Sequence, residues 1–304
     1  MTDHVCLAFD TSNYTTSVCL YDGESVSSAE RLLPVGEGEL GLRQSDAVFH
    51  HTRALPELVE ALGDSRPCAV GASDRPREAE GSYMPCFLVG TAMARGIAAV
   101  LGVPCFFFTH QQGHVAAAAF SSGFPELLDA PALAWHLSGG TTELLLVKPG
   151  EKGCVSCRRI GGTKDISAGQ LLDRTGQRLG IRFPAGKTLD ALASEADAAA
   201  FRVKVSGAEF SLSGMENKLS QLAASGAEKE IVAGYALNTV ALAVKAATEQ
   251  AKKEYGELPV LFSGGVSGSS VLRSVITDGI FAHPRYSSDN AYGTAILTYR
   301  TVNR

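Results

Sequence analysis

The sequence feature that most constrains the fold is an internal repeat of a strand, a polar turn and a second strand. Residues 5–21 have this pattern, and residues 133–147 have it again. Aligned without gaps, Leu7-Ala8-Phe9 matches Leu133-Ala134-Trp135. The two copies lie much farther apart than the roughly 20–50 residues that separate the units of repeat proteins such as solenoids. The repeat therefore predicts two similar lobes, each opened by a β-hairpin.

Apolar periodicity places helices and buried strands in both halves of the chain, so the expected fold class is α/β. We expect a first lobe of residues 1–112, completed by a C-terminal helix over residues 289–304. The second lobe is expected over residues 113–288. The predicted helices cover residues 54–63, 88–102, 168–180, 228–255, 271–276 and 291–299.

The composition is that of an ordinary globular protein. Hydrophobic residues make up 45% of the 304 residues and charged residues 19%, which excludes a disordered, collagenous or coiled-coil chain. The formal net charge of -5 gives no overall basic field for nucleic acid or an anionic membrane, and local basic patches remain open. The apolar run Ile97–Phe108 is too short for a membrane span, and the N-terminus lacks the basic region of a secretory signal. We therefore expect a cytoplasmic protein with no membrane partner.

Seven cysteines are spread through apolar stretches, which is typical of reduced core thiols rather than of a disulfide framework. Only Cys154 and Cys157 form a close pair. One Cys-Val-Ser-Cys segment without a second pair is weak evidence for metal or redox chemistry. A structural role is the favoured interpretation.

His110 and His114 stand at the mouth of an apolar helix, four residues apart, so both imidazoles project from one helix face. Borderline divalent metals bind such pairs, but a stable site needs a third ligand from elsewhere. The alternative is a polar helix start whose histidines only form hydrogen bonds. The intervening residues are Gln111, Gln112 and Gly113, so the glutamate that serves as general base in zinc proteases is absent.

Three polar turns could bind an anion. Glycines in Ser138-Gly139-Gly140-Thr141-Thr142 let the backbone approach a phosphate closely, and the hydroxyl groups add donors. The turn Asp10-Thr11-Ser12-Asn13 is its counterpart in the other lobe, and Gly264-Gly265 forms a third turn. A glycine hairpin taken alone is more often a plain turn than a ligand site. The three turns together are equally compatible with plain turns and with a nucleotide site. Asp165 and Asp173 could line that site from one side of a helix, if the helix begins early enough.

Several segments in order carry a resemblance over nearly the whole chain. They are Asp10-Thr11-Ser12, the pair His110 and His114, Ser138-Gly139-Gly140-Thr141-Thr142, residues 165–173, Leu179-Gly180 through Pro184-Ala185-Gly186, Phe210-Ser211-Leu212-Ser213-Gly214, Gly264-Gly265-Val266-Ser267 and Ser288-Asp289-Asn290-Ala291. Together they resemble the tRNA N6-adenosine threonylcarbamoyltransferase family, TsaD, formerly described as O-sialoglycoprotein endopeptidases.

The resemblance implies a duplicated ribonuclease-H-like fold of two lobes, similar to actin and sugar kinases. It implies an acyl transferase that moves threonylcarbamoyl from its adenylate to adenosine N6 of tRNA, with AMP as the leaving product. One divalent metal, iron or zinc, would be bound by His110, His114 and Asp289. The implied partners are tRNA and a related TsaB-like subunit. The residues implied to bind the adenine nucleotide or acyl-adenylate are Thr11, Ser12, Ser138, Gly139, Gly140, Thr141, Asp173, Gly186, Gly264, Gly265 and Ser269.

The chain also departs from the family pattern. Tyr14-Thr15 stands where the family has an acidic pair, so the carboxylate credited with assisting the transfer is missing. Ser269 replaces an asparagine of the last glycine turn. A charged segment over residues 73–81 replaces the glycine-rich loop of the first lobe. These differences leave open a catalytically impaired paralogue that binds nucleotide or metal or pairs with a subunit, and, as a minor alternative, a metallopeptidase.

Overall fold

The computed structural model describes residues 4–12, 14–34, 42–287 and 290–304. The chain divides into unit 1, formed by Met1–Ala130, Lys148–Cys157 and Arg285–Arg304, and unit 2, formed by Pro131–Val147 and Arg158–Pro284.

The sheet of unit 1 grows from the first predicted hairpin. Its first two strands pair antiparallel, and the pair Asp10↔Ser17 closes the hairpin next to its turn. The third strand extends the hairpin antiparallel, and two parallel strands follow on the other side in the order β3-β2-β1-β4-β5. The strands are β1 (Cys6–Asp10), β2 (Thr15–Tyr21), β3 (Val26–Leu32), β4 (Ala69–Arg75) and β5 (Cys105–Thr109).

Three helices follow these strands in unit 1: α1 (Gln44–Ala61), α2 (Phe87–Leu101) and α3 (His110–Ser121). Thr109 and Gln112 form a capping box that satisfies backbone N–H groups at the start of α3. Gly102 ends α2 in the left-handed conformation that glycine tolerates.

Unit 2 repeats the same sheet. The hairpin of β6 and β7 has the register Leu133↔Leu146, and β10 and β11 lie parallel on the far side of β6. The order β11-β10-β6-β7-β8-β9 therefore contains the arrangement of unit 1 with one added edge strand. This confirms the expected duplicated ribonuclease-H-like α/β fold. The strands are β6 (Ala132–Leu137), β7 (Thr142–Pro149), β8 (Val155–Thr163), β9 (Glu209–Phe210), β10 (Val260–Ser263) and β11 (Ile280–Phe281).

The helices of unit 2 pack on one face of this sheet, because alternate residues of β6 (Leu133, Trp135 and Leu137) enter the same apolar core as the helices. The longest helix, α7, is long and apolar enough to cross a membrane, a point that the sequence analysis missed. However, 67% of its apolar window is buried inside the protein, as in the core helix of a globular domain. The helices are α4 (Ala168–Arg178), α5 (Gly186–Ala193), α6 (Ser213–Ala224), α7 (Lys229–Tyr255) and α8 (Ser270–Val275).

The last helix, α9 (Tyr292–Val302), returns to unit 1 and packs tightly against α3. A Cβ atom at Gly293 would collide with the carbonyl oxygen of Gly113, so the two backbones touch. The sequence-based division after residue 112 falls inside α3. The structural division comes later, after Ala130, because α3 packs on α9 and stays with unit 1.

We predict that Gly293→Ala lowers the free energy of unfolding by about 2 kcal/mol, because overpacking a tight contact typically costs about 1–3 kcal/mol. The matched control is Gly96→Ala on α2, where a Cβ would enter open space. Alanine at position 96 should leave the free energy of unfolding unchanged or raise it by up to about 1 kcal/mol, because alanine has the higher helix propensity. Urea denaturation of both variants checks this, and equal effects would contradict the close α3–α9 contact.

Candidate functional site

The two predicted histidines meet at the start of α3. His110 and His114 lie one turn apart, and their ring centroids are 4.2 Å from each other. His114 is buried, and 18% of the His110 side chain is exposed. The capping box at Thr109 holds this first turn in place, so the structure brings the pair together as the spacing predicts.

His110 is held by the carboxylate of Asp10, a contact that the sequence analysis did not predict. Asp10 ends β1, is 1% exposed, and its Oδ2 lies 2.8 Å from Nδ1 of His110. Strands β1, β4 and β5 run parallel and adjacent, so their carboxyl ends bring Asp10, Ser73 and His110 to one edge of the sheet. The sequence does show an aspartate at the end of an apolar strand. It does not show its partner, because His110 lies 100 residues away.

The charge state of Asp10 decides which histidine nitrogen carries the proton. Burial by itself raises the pKa of Asp10, but the His110 imidazole and hydrogen bonds from Ser12 and Ser73 outweigh it and hold the pKa below its usual value. An ionised carboxylate only accepts hydrogen bonds, so Nδ1 of His110 is the donor in this contact, and in the neutral ring Nε2 is the acceptor. Ser73 also contacts Thr294 of α9, with 3.1 Å between the hydroxyl oxygens.

Thr11 and Ser12, both predicted as ligand contacts, are buried within unit 1. The Thr11 hydroxyl donates to the Cys86 carbonyl (2.9 Å) and accepts from the Gly90 amide (3.1 Å), which fixes the first turns of α2. The Ser12 amide and hydroxyl both donate to Asp10. Both side chains therefore serve the internal structure of unit 1, and their contact with a ligand stays a prediction.

The charged segment over residues 73–81 supports α3. Gln112 donates to Oε1 of Glu78 (2.8 Å) and to the carbonyl of Val155 (2.5 Å), and the Cys157 amide donates to Oε2 of Glu78 (2.8 Å). Burial, and next the negative charge of Glu78, raise the pKa of the Cys157 thiol. A protonated, buried thiol is not a ready nucleophile. The geometry around the Cys-Val-Ser-Cys pair thus agrees with a structural role.

The second glycine turn, in unit 2, is fixed by hydrogen bonds to the start of α4, and its two glycines have open space beside them. The Ser167 hydroxyl donates to the Gly139 carbonyl (2.6 Å), and the Gly169 amide donates to the Ser138 carbonyl (3.2 Å). A Cβ at Gly169 would press into this turn, whereas a Cβ at Gly139 or Gly140 would meet no atom within 4 Å. The turn therefore sits at the start of α4 with its backbone accessible, a geometry that binds anions.

The third turn lies beside the second. Ser263 pairs with His136 across the parallel strands β10 and β6, which brings Gly264 next to Leu137. Gly264 has φ +87, and a Cβ there would strike the Leu137 carbonyl. Only glycine allows this approach, so Gly264-Gly265 and the Ser138–Thr141 turn share one edge of the unit 2 sheet.

Ser269 has an internal partner that the sequence analysis missed. Its hydroxyl caps α8 by accepting from the Leu272 amide (3.3 Å), and it donates to Oδ1 of Asp190 (2.5 Å) on α5. Asp190 also accepts from the Ser270 amide at 3.0 Å. Burial alone raises the pKa of Asp190, but these hydrogen bonds outweigh it and keep the pKa below its usual value.

Asp173 and Asp165 do not share a helix face. Helix α4 begins at Ala168, so Asp165 precedes it and instead accepts from the Ser213 hydroxyl (2.6 Å) and the Leu212 amide (2.8 Å). The idea that both line one helix side is wrong, because the capping residue Ser167 starts the helix too late. Asp173 lies on α4 and accepts from the Ala185 amide (2.9 Å), next to Gly186.

Within the residues that the structure describes, no three His, Cys, Asp or Glu side chains converge as a metal site. The pair His110 and His114 supplies two donors, and the predicted third ligand, Asp289, lies outside the described residues.

Comparisons with known proteins agree on one family. The family model "tRNA N6-adenosine threonylcarbamoyltransferase" (TsaD) matches residues 81–296. A protein of that name from Thermus thermophilus is 32% identical over 98% of this chain and 93% of its own length. Another, from Methanopyrus kandleri, is 29% identical over 84% of this chain and 72% of its own length.

Solved structures agree with the fold. A full-length HypF, in a phosphate- and nucleotide-bound form, aligns with a TM-score of 0.64 and 15% identity, covering 100% of this chain and 56% of HypF. A ROK family protein from Streptococcus pneumoniae aligns with a TM-score of 0.53 and 11% identity, covering 98% of this chain and 97% of its own. Identities this low support the shared fold only.

We predict that Asp190→Asn lowers the free energy of unfolding at pH 7 by about 1 kcal/mol, the typical contribution of a helix cap. A carboxyl whose pKa is lowered in the folded state stabilises it above the unfolded pKa of about 3.9, and this stabilisation is lost as the pH falls through the folded pKa. The difference between wild type and variant should therefore shrink below about pH 4.

The matched control for this measurement is Asp197→Asn, since Asp197 is exposed and bonds to no described residue. Denaturant unfolding of the three proteins at several pH values checks the prediction. A destabilisation that persists undiminished at pH 3 would show that Asp190 does not act through its charge.

Proposed function

Because this chain belongs to the tRNA N6-adenosine threonylcarbamoyltransferase (TsaD) family, we propose that it transfers a threonylcarbamoyl group from its adenylate to N6 of an adenosine in tRNA. The observation that carries the proposal is the match of 98% of the chain to a relative of that name. In this reaction the N6 nitrogen forms a bond to the carbamoyl carbon, the bond from that carbon to the phosphate oxygen breaks, and AMP leaves with release of one proton.

The adenylate needs a site for its phosphate, and unit 2 supplies a suitable one. Gly139 and Gly140 have open space in front of them, and the start of α4 contributes its backbone N–H groups. Ser138 and Thr141 add polar groups at the same turn. Asp173, Gly186 and the cap formed by Ser269 and Asp190 belong to neighbouring parts of unit 2. We assign the nucleotide to this group of residues.

The residues at the start of α3 fit a divalent metal. Asp10 accepts a hydrogen bond from Nδ1 of His110, as partner carboxylates do behind metal-binding histidines, so Nε2 is the nitrogen that would coordinate the metal. His114 lies on the same helix face, and Asp289 is the proposed third ligand. Mixed histidine and carboxylate donors suit zinc and iron alike. When bound, the metal would supply Lewis-acid polarisation of an oxygen atom of the substrate.

The chain's own residues would then contribute positioning more than proton transfer. Tyr14 stands where the family has an acidic residue, and the nearest carboxylate in sequence, Asp10, is already engaged by His110, Ser12 and Ser73. Holding reactants in the correct orientation can supply a large part of a rate enhancement without a general base.

The proposed partners are tRNA and a related TsaB-like subunit. For the subunit, unit 1 offers exposed apolar side chains on α1 and α2, including Phe49, Val100 and Leu101. Exposed apolar patches of this kind are typical of subunit contacts.

Neither alternative is supported by the comparisons. The relatives carry the name of the transferase, not of an impaired paralogue or a peptidase. A peptidase of the zinc type needs a carboxylate between its two histidines. Gln112, which lies between them here, carries an amide that donates hydrogen bonds to Glu78 and Val155.

We predict that the metal-loaded chain modifies tRNA in a reconstituted reaction. The mixture contains the adenylate-forming enzyme, threonine, bicarbonate, ATP, a TsaB-like subunit and a tRNA with an unmodified acceptor adenosine. Mass spectrometry of the digested tRNA should find threonylcarbamoyladenosine. Failure despite confirmed adenylate and metal would contradict the proposal, and activity confined to Tyr14→Asp would favour an impaired paralogue instead.

We also predict that His110→Ala abolishes stoichiometric metal binding, since two protein ligands rarely hold a metal. Asp10→Asn should weaken metal affinity about 10–100-fold, as loss of an orienting partner typically does. Competition with a chelator measures both effects, and His283→Ala, which changes an exposed histidine, is the control. Unchanged metal content in His110→Ala would overturn the assignment.

A further inference from the structure

The loop between α4 and α5 presents an aromatic side chain to solvent. Phe183 is 82% exposed, although a phenyl ring of this size gains free energy by burial. A lone exposed apolar side chain is common on protein surfaces, so the anchoring of this ring and the charges beside it matter more than its exposure.

The exposure of Phe183 is a consequence of how the loop is anchored. Before it, the Ile181 amide donates to the Gly176 carbonyl (2.8 Å), and the Ile181 side chain packs on the core of unit 2. After it, the Ala185 amide donates to Asp173 (2.9 Å), and Ala185 packs against Gly176 so closely that a Cβ on that glycine would collide with it. Both ends of the loop are therefore fixed on α4, and its apex carries the ring outward.

The same segment is basic. Residues 174–189 contain four cationic side chains, with the carboxylates of Asp173 and Asp190 at their two ends, in a chain whose net charge is -5. Glu216 pairs with Arg174 (2.8 Å) and Arg178 (3.4 Å). Arg182 and Lys187 are exposed and form no hydrogen bond or ion pair with any described residue. Two cations without a described ion pair thus stand on either side of Phe183 in the sequence.

An exposed ring between cations matches the chemistry of an unpaired nucleotide. Every base has a face that stacks on an aromatic ring, and the phosphates on either side bind Arg and Lys. Sequence-specific RNA recognition mostly uses unstacked bases of loops, because the deep major groove of an RNA helix does not admit side chains. A protein partner would instead need a broader apolar surface around the ring than one side chain gives.

We propose that Arg182, Phe183 and Lys187 form a docking surface for an unstacked base and its adjoining phosphates in the tRNA substrate. This inference rests on the proposed function, because it takes tRNA as the acceptor. The ring stacks on the base, and the two cations bind the backbone on either side. Since Asp173 holds the Ala185 amide, the surface is tied directly to a residue of the proposed nucleotide site.

The test is binding of fluorescently labelled tRNA to the full chain by anisotropy at several salt concentrations. Phe183→Ala should weaken binding about 10-fold, in line with the stacking contribution of one base, and Phe183→Trp should restore it. Arg182→Gln and Lys187→Gln should each reduce the slope of log affinity against log salt by about 1. The matched controls are Phe124→Ala, which removes an exposed ring elsewhere, and Lys253→Gln, an exposed lysine on α7.

The outcomes separate this inference from the proposed function. If wild type binds and modifies tRNA but Phe183→Ala binds it equally well, the docking surface is wrong and the transferase assignment stands. If Phe183→Ala weakens binding of AMP and leaves tRNA binding unchanged, the ring stacks on the small-molecule nucleotide and the inference is overturned. If wild type neither binds nor modifies tRNA in the presence of the TsaB-like subunit, both proposals fail. Because all three side chains are exposed, circular dichroism melting should show unchanged folding.

Discussion

A buried carboxylate organises the candidate site of unit 1. An ionised Asp10 at 1% exposure would be very unfavourable without partners, so it recruits the His110 ring, the Ser12 amide and hydroxyl, and the Ser73 hydroxyl. These contacts connect the ends of β1 and β4 with the start of α3, and Ser73 extends them to Thr294 on α9. The same interaction sets the tautomer of His110. The arrangement of these side chains and the proposed metal binding by His110 therefore both depend on the buried charge of Asp10.

In unit 2, glycines take the place that the buried carboxylate has in unit 1. Gly169 and Gly264 allow other backbone segments to touch the turn that follows β6, and Gly139 and Gly140 leave the front of that turn open. The two halves of a duplicated fold thus use the edge at the carboxyl ends of their parallel strands in different ways. In unit 1 that edge holds imidazole and carboxylate groups, and in unit 2 it exposes backbone amides suited to phosphate.

The departures from the family pattern have structural consequences that are easy to misinterpret from sequence alone. The charged segment over residues 73–81 includes Glu78, which receives hydrogen bonds from Gln112 and from the Cys157 amide. It therefore supports the helix that carries both histidines. Ser269, shorter than the asparagine of the family, gains its own carboxylate partner in Asp190. No described contact supplies a carboxylate in place of the acidic residue that Tyr14 replaces. This substitution therefore bears most directly on catalysis.

The sequence by itself determined the duplicated hairpins, most helices and the four-residue spacing of His110 and His114, because these depend on local periodicity, capping residues and turn chemistry. Only the tertiary structure decided that Asp10 meets His110, that Asp190 meets Ser269, and that Asp165 caps the segment at Leu212 instead of lining α4. It also decided that Phe183 points into solvent. These pairings join residues about 50 to 100 positions apart, and they follow from which strands and helices lie side by side. Hydrophobic periodicity says which face of a strand is buried but carries no information about its neighbour in the sheet.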